Sequence, residues 1–130
     1  MDLTHFQWKN RLLLLFAPDS SHPLFEGMRN EILAHQTAVK DRDLVIFEVL
    51  ERGPSQINQH QLDPEAVDAI HKRFSAPRNR FTLILVGKDG GIKLKRNEQT
   101  DLDEIFALID SMPMRQDELR KKNSDNGENQ

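Results

Sequence analysis

Hydrophobic positions along the chain fall into four short blocks that predict β-strands. Residues 12–16 form a continuous apolar run, which is typical of a central strand covered on both faces. Residues 43–50 and 81–86 are rich in β-branched and aromatic side chains, and residues 92–95 alternate between apolar and basic. That alternation predicts an edge strand. Residues 88–91 predict a hairpin turn before it, because the Asp-Gly pair accepts positive φ angles.

The segments between these strands predict helices. Residues 24–39 keep roughly helical spacing of apolar side chains, and Pro23 suits the first turn of that helix. Asp63 as N-cap and Pro64 as first helical residue mark a second start, and Pro77 helps to end that helix. The polar residues 51–62 before it predict a loop.

A third helix is predicted near the end of the chain. Thr100 is expected to be its N-cap, and Leu102, Ile105, Phe106 and Ile109 form its buried stripe. Pro113 is expected to break it, with a short extra helix over residues 114–122.

The resulting order, β-α-β-α-β-β-α, limits the topology. A helical crossover makes the first two strands parallel, and the final hairpin makes the last two antiparallel. We therefore predict an α/β fold in three layers, α/β/α, around a four-stranded mixed sheet with strand order 2-1-3-4. Residues 1–120 are predicted to form one domain, and the polar residues 121–130 a disordered tail, since they carry no large apolar side chain.

Composition excludes several functions. The chain has no cysteine, and a thiolate is the nucleophile in thiol–disulfide exchange, so that chemistry is excluded. A net charge of −3 argues against nucleic acid as a partner. No apolar run reaches the length of about 20 residues that spans a bilayer. The histidines lack zinc-like spacing, so we expect no metal and no cofactor, with His35 and His71 on partly exposed helix faces.

Two segments resemble the thioredoxin active site without its reactive groups. Residues 16–18, Phe-Ala-Pro, resemble the Trp-Ala-Pro that leads into the redox turn, and Ser20 and Pro23 fall near the two cysteine positions. Residues 81–83, Phe-Thr-Leu, resemble the strand that begins with a cis-proline in thioredoxins, with Phe81 in place of that proline. The resemblance implies a thioredoxin-like fold that has lost both cysteines and the proline that cradles the substrate.

A broader resemblance covers about residues 4–120. The segments 8–11 (Trp-Lys-Asn-Arg), 16–18, 85–91 (Leu-Val-Gly-Lys-Asp-Gly-Gly) and 109–115 (Ile-Asp-Ser-Met-Pro-Met-Arg) are similar to the bacterial domain of unknown function 4174 family. That family is similar to repeated domains of coiled-coil-domain-containing protein 80 and of sushi-repeat proteins. The resemblance implies no established activity. It favours a periplasmic location if a leader has been removed, and a cytoplasmic one otherwise.

The candidate site is the former redox face. Ser20, Ser21 and His22 lie in the turn before the first helix, and Arg80 and Phe81 precede the third strand. We predict a non-enzymatic module that binds a protein or peptide between them. The alternative is a small-ligand or anion binder, or a non-thiol enzyme, that uses the Ser20-Ser21-His22 turn at a helix N-terminus.

Two pairs of apolar residues each have two alternative roles. Phe6 and Trp8 are either a lid on the core or an exposed contact for a partner. Met112 and Met114 are either a docking spot or a cap over a helix end. A third alternative is a mainly structural role, through a homodimer formed by an edge strand.

Overall fold

The computed structural model describes residues 2–128, and their side chains as far as residue 124. The strands are β1 (Arg11–Ala17), β2 (Leu44–Leu50), β3 (Gln56–Ile57), β4 (His60–Gln61), β5 (Thr82–Val86) and β6 (Ile92–Arg96). The α-helices are α1 (Pro23–Ala34), α2 (Gln36–Asp41), α3 (Pro64–Phe74), α4 (Leu102–Asp110) and α5 (Pro113–Glu128), and a 3-10 helix covers Leu3–Phe6.

One mixed sheet in the order β4-β3-β2-β1-β5-β6 forms the centre of the fold. β1 runs parallel to β2 and antiparallel to β5, and β5 pairs antiparallel with β6. The predicted α/β architecture and the order of the four main strands are confirmed. The sheet has six strands rather than four, because residues 51–62, expected to form a loop, contain the small β3–β4 hairpin. Its turn residues Asn58 and Gln59 both have positive φ, as tight two-residue hairpins require.

Burial of β1 on both faces explains its continuous apolar run. Leu13, Leu15 and Ala17 pack in a cluster with α1, α2 and α4. Leu12, Leu14 and Phe16 pack on the other face with α3 and the 3-10 helix. Because successive side chains of a strand point to opposite faces, both sets must be apolar when helices cover both sides.

Helix boundaries differ from the predictions at three places. The helix predicted over residues 24–39 is interrupted at His35, whose φ of −129° and ψ of 39° are not helical. Asp101, not Thr100, is the N-cap of α4, and the first free amide, of Leu102, donates to Glu31 of α1 at 2.9 Å. The acceptor comes from another helix, so local sequence could not reveal it.

Helix α5 is longer than the expected segment. Pro113 begins it rather than only ending α4, which agrees with the preference of proline for the first helical turn. The helix continues to Glu128, through most of the segment expected to be disordered, and residues 129 and 130 lie outside the described residues. Among the described residues, no helix combines the length and apolarity needed to cross a membrane.

Arg11, the first residue of β1, carries a fully buried charge. Its guanidinium donates two hydrogen bonds to the carboxylate of Glu118 in α5, at 3.2 Å and 3.0 Å, and one to the main-chain oxygen of Arg42 at 2.9 Å. The Nζ of Lys88 donates to the same carboxylate at 2.8 Å and to Asp43 at 2.9 Å. One acid on α5 therefore neutralises two buried cations from different parts of the sheet.

A second set of ion pairs ties α5 to α2 and α4. Arg115 is nearly buried and donates to Asp110 at 3.0 Å and to Asp41 at 2.7 Å. Arg42 donates to both oxygens of Asp110, at 3.1 Å and 2.9 Å, and its guanidinium lies 4.2 Å from the centre of the Phe106 ring. Burial raises the pKa of Asp110, but hydrogen bonds from the two arginines outweigh it and hold the pKa below its ordinary value. The ion cluster, as we name these groups, comprises Arg11, Asp41, Arg42, Asp43, Lys88, Asp110, Arg115 and Glu118.

His71 of α3 is buried, at 5% exposure, whereas a partly exposed position was expected. Its ring centre lies 5.2 Å from that of Phe16. Within the described part of the chain, neither ring nitrogen has a hydrogen-bond partner. Burial lowers the pKa of His71, and the charge of Arg78 lowers it further, so the folded protein favours the neutral imidazole.

We predict that Glu118→Gln lowers the free energy of unfolding by about 3 kcal/mol, because it leaves Arg11 and Lys88 buried without their shared counterion. Urea unfolding followed by circular dichroism measures the change. Asp117→Asn is the matched control, since its pair with Arg120 is more than two-thirds exposed and should contribute less than about 1 kcal/mol. Equal effects of the two variants would show that the buried pair does not govern the stability.

We also predict that His71 makes the fold less stable in acid. The unfolded histidine titrates near its ordinary pKa of 6.5 and the folded one at a lower pH, so the unfolded state binds more protons in that window. The free energy of unfolding should therefore fall as pH drops below about 6.5. His71→Leu should flatten this dependence in urea titrations at several pH values. The exposed His60 provides the control, and a His60→Gln variant that flattened it equally would contradict the assignment.

Candidate functional site

The turn between β1 and α1 is organised by Asp19. Its Oδ1 accepts from the main-chain N–H of Ser21 at 3.0 Å and from the Ser21 hydroxyl at 2.6 Å. Its Oδ2 accepts from Arg52 at 3.1 Å. Hydrogen bonds from Ser21 and Arg52 lower the pKa of Asp19. Ser20 is exposed beside this turn.

His22 is the N-cap of α1. Its Nδ1 accepts a hydrogen bond from the N–H of Leu24 at 3.3 Å, which satisfies one of the free amides of the first helical turn. The imidazole is half-buried and stacks on the ring of Phe81, with centres 6.0 Å apart and planes 20° from parallel. The structure thus brings the rings of His22 and Phe81 together.

These contacts assign the polar groups of the turn to local structure. The Ser21 hydroxyl is used by Asp19, and the Nδ1 atom of His22 is used by α1. Nucleophilic activation would need a hydroxyl bonded to the imidazole and a third group that orients it. In residues 2–128 no hydrogen bond joins either Ser20 or Ser21 to His22. The same residues contain no group of three or more metal-binding side chains.

Phe81 forms the floor of an apolar groove beside α1. The ring is buried, at 2% exposure, and lies just before Thr82, the first residue of β5 paired with β1. A cavity of about 200 Å³ opens next to it. Its lining comprises Pro23, Leu24, Gly27, Met28, Glu31, Phe81, Gln99 and Thr100. Arg80 is exposed and makes no hydrogen bond or ion pair within the described part of the chain.

The chemistry at the other end of β1 was not predicted. Arg11 and Lys88 lie in segments that carry the family resemblance, and Lys88 also in the predicted hairpin turn, but neither was assigned a charged partner. The structure joins both to Glu118, 107 residues from Arg11 in the chain. The one signal available was a charged residue directly before a fully buried strand, where it needs an opposite charge.

Glu48 was also missed, since it lies inside a segment interpreted only as a strand. Its side chain is 14% exposed and 3.2 Å from Arg29. Burial raises the pKa of Glu48, and the charge of Arg29 offsets this only in part. The carboxyl group lines a cleft of about 240 Å³ between α1, α2 and the β3–β4 hairpin.

The fold and the altered turn define a thioredoxin-like domain without cysteine. The structure superposes on the reduced 2-Cys peroxiredoxin of Plasmodium vivax with a TM-score of 0.65 and 17% identity, over 90% of this chain and 85% of the other. Thioredoxin peroxidase I of Plasmodium yoelii gives a TM-score of 0.63 and 18% identity, over 90% and 80%. At these identities the similarity concerns the fold alone.

Residues 2–118 match the family described as domain of unknown function (DUF4174), and the chain belongs to that family. It is 29% identical to the sushi repeat-containing protein SRPX2 of Bos taurus, over 90% of this chain and 26% of that protein. It is 28% identical to coiled-coil domain-containing protein 80 of Danio rerio, over 90% and 15%. The chain thus spans about a quarter or less of these relatives. They are vertebrate proteins, so these matches do not support the bacterial origin that the resemblance implied.

We predict that His22→Ala lowers the free energy of unfolding by about 1 kcal/mol, because it removes both the cap of α1 and the stack on Phe81. His22→Asn should lose less, since asparagine is a strong N-cap and supplies the same kind of acceptor. Thermal and urea unfolding of the two variants measure the difference. Equal losses would show that capping contributes little and that the ring contact dominates.

Proposed function

We propose that this domain is a non-enzymatic module that binds an extended segment of a protein or peptide at the groove beside α1. The observation that supports it is the apolar cavity between α1 and the Phe81 ring, at the face where thioredoxin-like proteins carry their redox turn. Without cysteine this face performs no thiol exchange. The groove above the buried Phe81 ring can still bind a protein or peptide segment.

The size and lining of the groove favour a peptide side chain over a free small molecule. Its volume of about 200 Å³ lies below the roughly 300–1,000 Å³ of typical small-ligand pockets. Leu24, Met28 and Phe81 contribute apolar groups to the lining, whereas the exposed Gln99 contributes a polar one. This combination suits one apolar side chain of a peptide whose main chain meets the polar group.

Substitutions at Gly27 test whether a peptide binds in this groove. It lies in α1, lines the groove, and a Cβ atom added there meets no atom within 4 Å. Glycine inside a helix costs roughly 0.5–1 kcal/mol relative to alanine. A larger residue at this position therefore adds a side chain to the lining of the groove while it strengthens the helix, so loss of binding is separated from loss of folding.

We predict that peptides selected from a displayed random library on the wild-type domain bind Gly27→Ala within about twofold and lose at least about tenfold in affinity for Gly27→Gln, which extends a side chain into the groove. Isothermal titration of synthetic peptides measures the affinities. Gly27→Ala should also unfold at higher urea concentration than the wild type.

Two outcomes would contradict the proposal. The first is that the library yields no binder with apolar side chains. The second is that selected peptides bind Gly27→Gln as well as the wild type, in which case their site lies elsewhere. Since Phe81 belongs to the core and its truncation can unfold the domain, Phe81→Ala is not used as the probe.

A further inference from the structure

A further cavity lies at the N-terminal end of β1, opposite the turn between β1 and α1. It has a volume of about 520 Å³, within the range of sites for small ligands. Trp8, Met112, Pro113 and Met114 supply its apolar walls. Except for Lys93, its lining residues lie in three of the segments that carry the family resemblance, although these are far apart in the sequence.

Trp8 is held in an unusual conformation at this cavity. Its φ of +69° is rare for a bulky residue, and such strain persists only where surrounding contacts impose it. Here its N–H donates to the main-chain oxygen of Lys88 at 2.6 Å, and the neighbouring Gln7 amide donates to Asp89 at 3.0 Å. The side chain is nevertheless 61% exposed, whereas Phe6 packs on Phe47 in the core. Of the two aromatics, Phe6 covers the core and Trp8 faces solvent.

Lys93 is the cation of this cavity that a ligand can reach. Arg11 and Lys88 also line the cavity, but both already pair with Glu118, and Asp89 is the acid among the described lining residues. Lys93 is one-third exposed and pairs with Asp89 at 2.8 Å, so a ligand can replace that carboxylate. Arg11 forms a buried wall of the cavity, and within the described residues its Nε has no hydrogen-bond partner.

We infer that this cavity binds a carboxylate that carries an adjacent aromatic or aliphatic group, with the apolar part against Trp8 and the methionines and the charge at Lys93. Two sources supply such a group: a free organic acid and the C-terminal residue of a polypeptide. The inference does not depend on the proposed peptide groove, which lies at the other end of β1 and shares no lining residue with this cavity.

The single tryptophan of the chain reports binding directly. Titration with hydrocinnamate and with N-acetyl-Gly-Gly-Phe should shift or quench its emission in a saturable way. The matched neutral probes, hydrocinnamamide and the peptide amide, should bind at least about tenfold more weakly, as expected when a charge-assisted hydrogen bond is lost. Stronger binding of the peptide acid than of hydrocinnamate assigns the source as a polypeptide C-terminus, and the reverse assigns a free acid.

Substitutions on the β5–β6 hairpin test whether the ligand carboxylate binds at Lys93, because one should weaken binding and another should strengthen it. Lys93→Gln should weaken binding of the acid by about tenfold. Asp89→Asn should strengthen it several-fold, because it removes the competing carboxylate while the amide oxygen can still accept from Gly91. Lys95→Gln is the control: it makes the same charge change on the same strand outside the cavity, and binding should stay within twofold.

Met114→Glu provides a second blocking variant, since a carboxylate in the apolar wall repels the ligand. Circular dichroism and urea unfolding establish that each variant is folded. The inference is overturned if neither acid changes the Trp8 emission at millimolar concentration, if the amides bind as well as the acids, or if Lys93→Gln and Lys95→Gln have the same effect.

Discussion

The rest of this structure depends on how the charge of Arg11 is neutralised at the start of the central strand. β1 is buried on both faces, so a guanidinium at its first residue has almost no access to water. A buried charge without a partner is far more costly than an ion pair in the same place. Glu118 supplies the partner from α5, and the same carboxylate also neutralises Lys88. The ion cluster thereby fixes α5 against the sheet, although no side chain of α5 as far as residue 124 belongs to the two apolar clusters of the core. Arg115 and Arg42 extend these contacts to α2 and α4.

The two ends of β1 therefore have different characters. At its C-terminal end, the turn satisfies its own polar groups: Asp19 holds Ser21, and His22 caps α1. What remains open there is an apolar groove above Phe81. At its N-terminal end, buried cations meet an exposed tryptophan and two methionines. Loss of thiol chemistry removes the usual task of a thioredoxin-like turn. The fold still keeps the rigid strand and helix ends from which binding sites are made.

The family and structural comparisons concern the domain as a whole. The Plasmodium peroxiredoxins share the three-layer fold at 17–18% identity, so the common feature is the packing of helices on a mixed sheet. Sushi repeat-containing protein SRPX2 and coiled-coil domain-containing protein 80 share clearly more sequence with this chain, yet the match covers only about a quarter of the first and less of the second. The domain is thus a unit that occurs within much longer proteins.

Local patterns determined much of this protein. Three features were predicted because each depends on residues that are neighbours in the chain. Burial on both faces explains the apolar run of β1. Capping explains the helix start at Asp63-Pro64, and the positive φ that glycine allows explains the turn at Asp89-Gly90. The order of the main strands followed from crossover rules. Contacts between distant residues were decided only by the tertiary structure: the cap that Glu31 gives to Leu102, the burial of His71, and the meeting of Arg11, Lys88 and Glu118. The β3–β4 hairpin was missed because its short polar strands gain their pairing from β2 rather than from a pattern of their own. In each case the fold brings together residues that are distant in the chain, so their spacing in the sequence does not predict the contact.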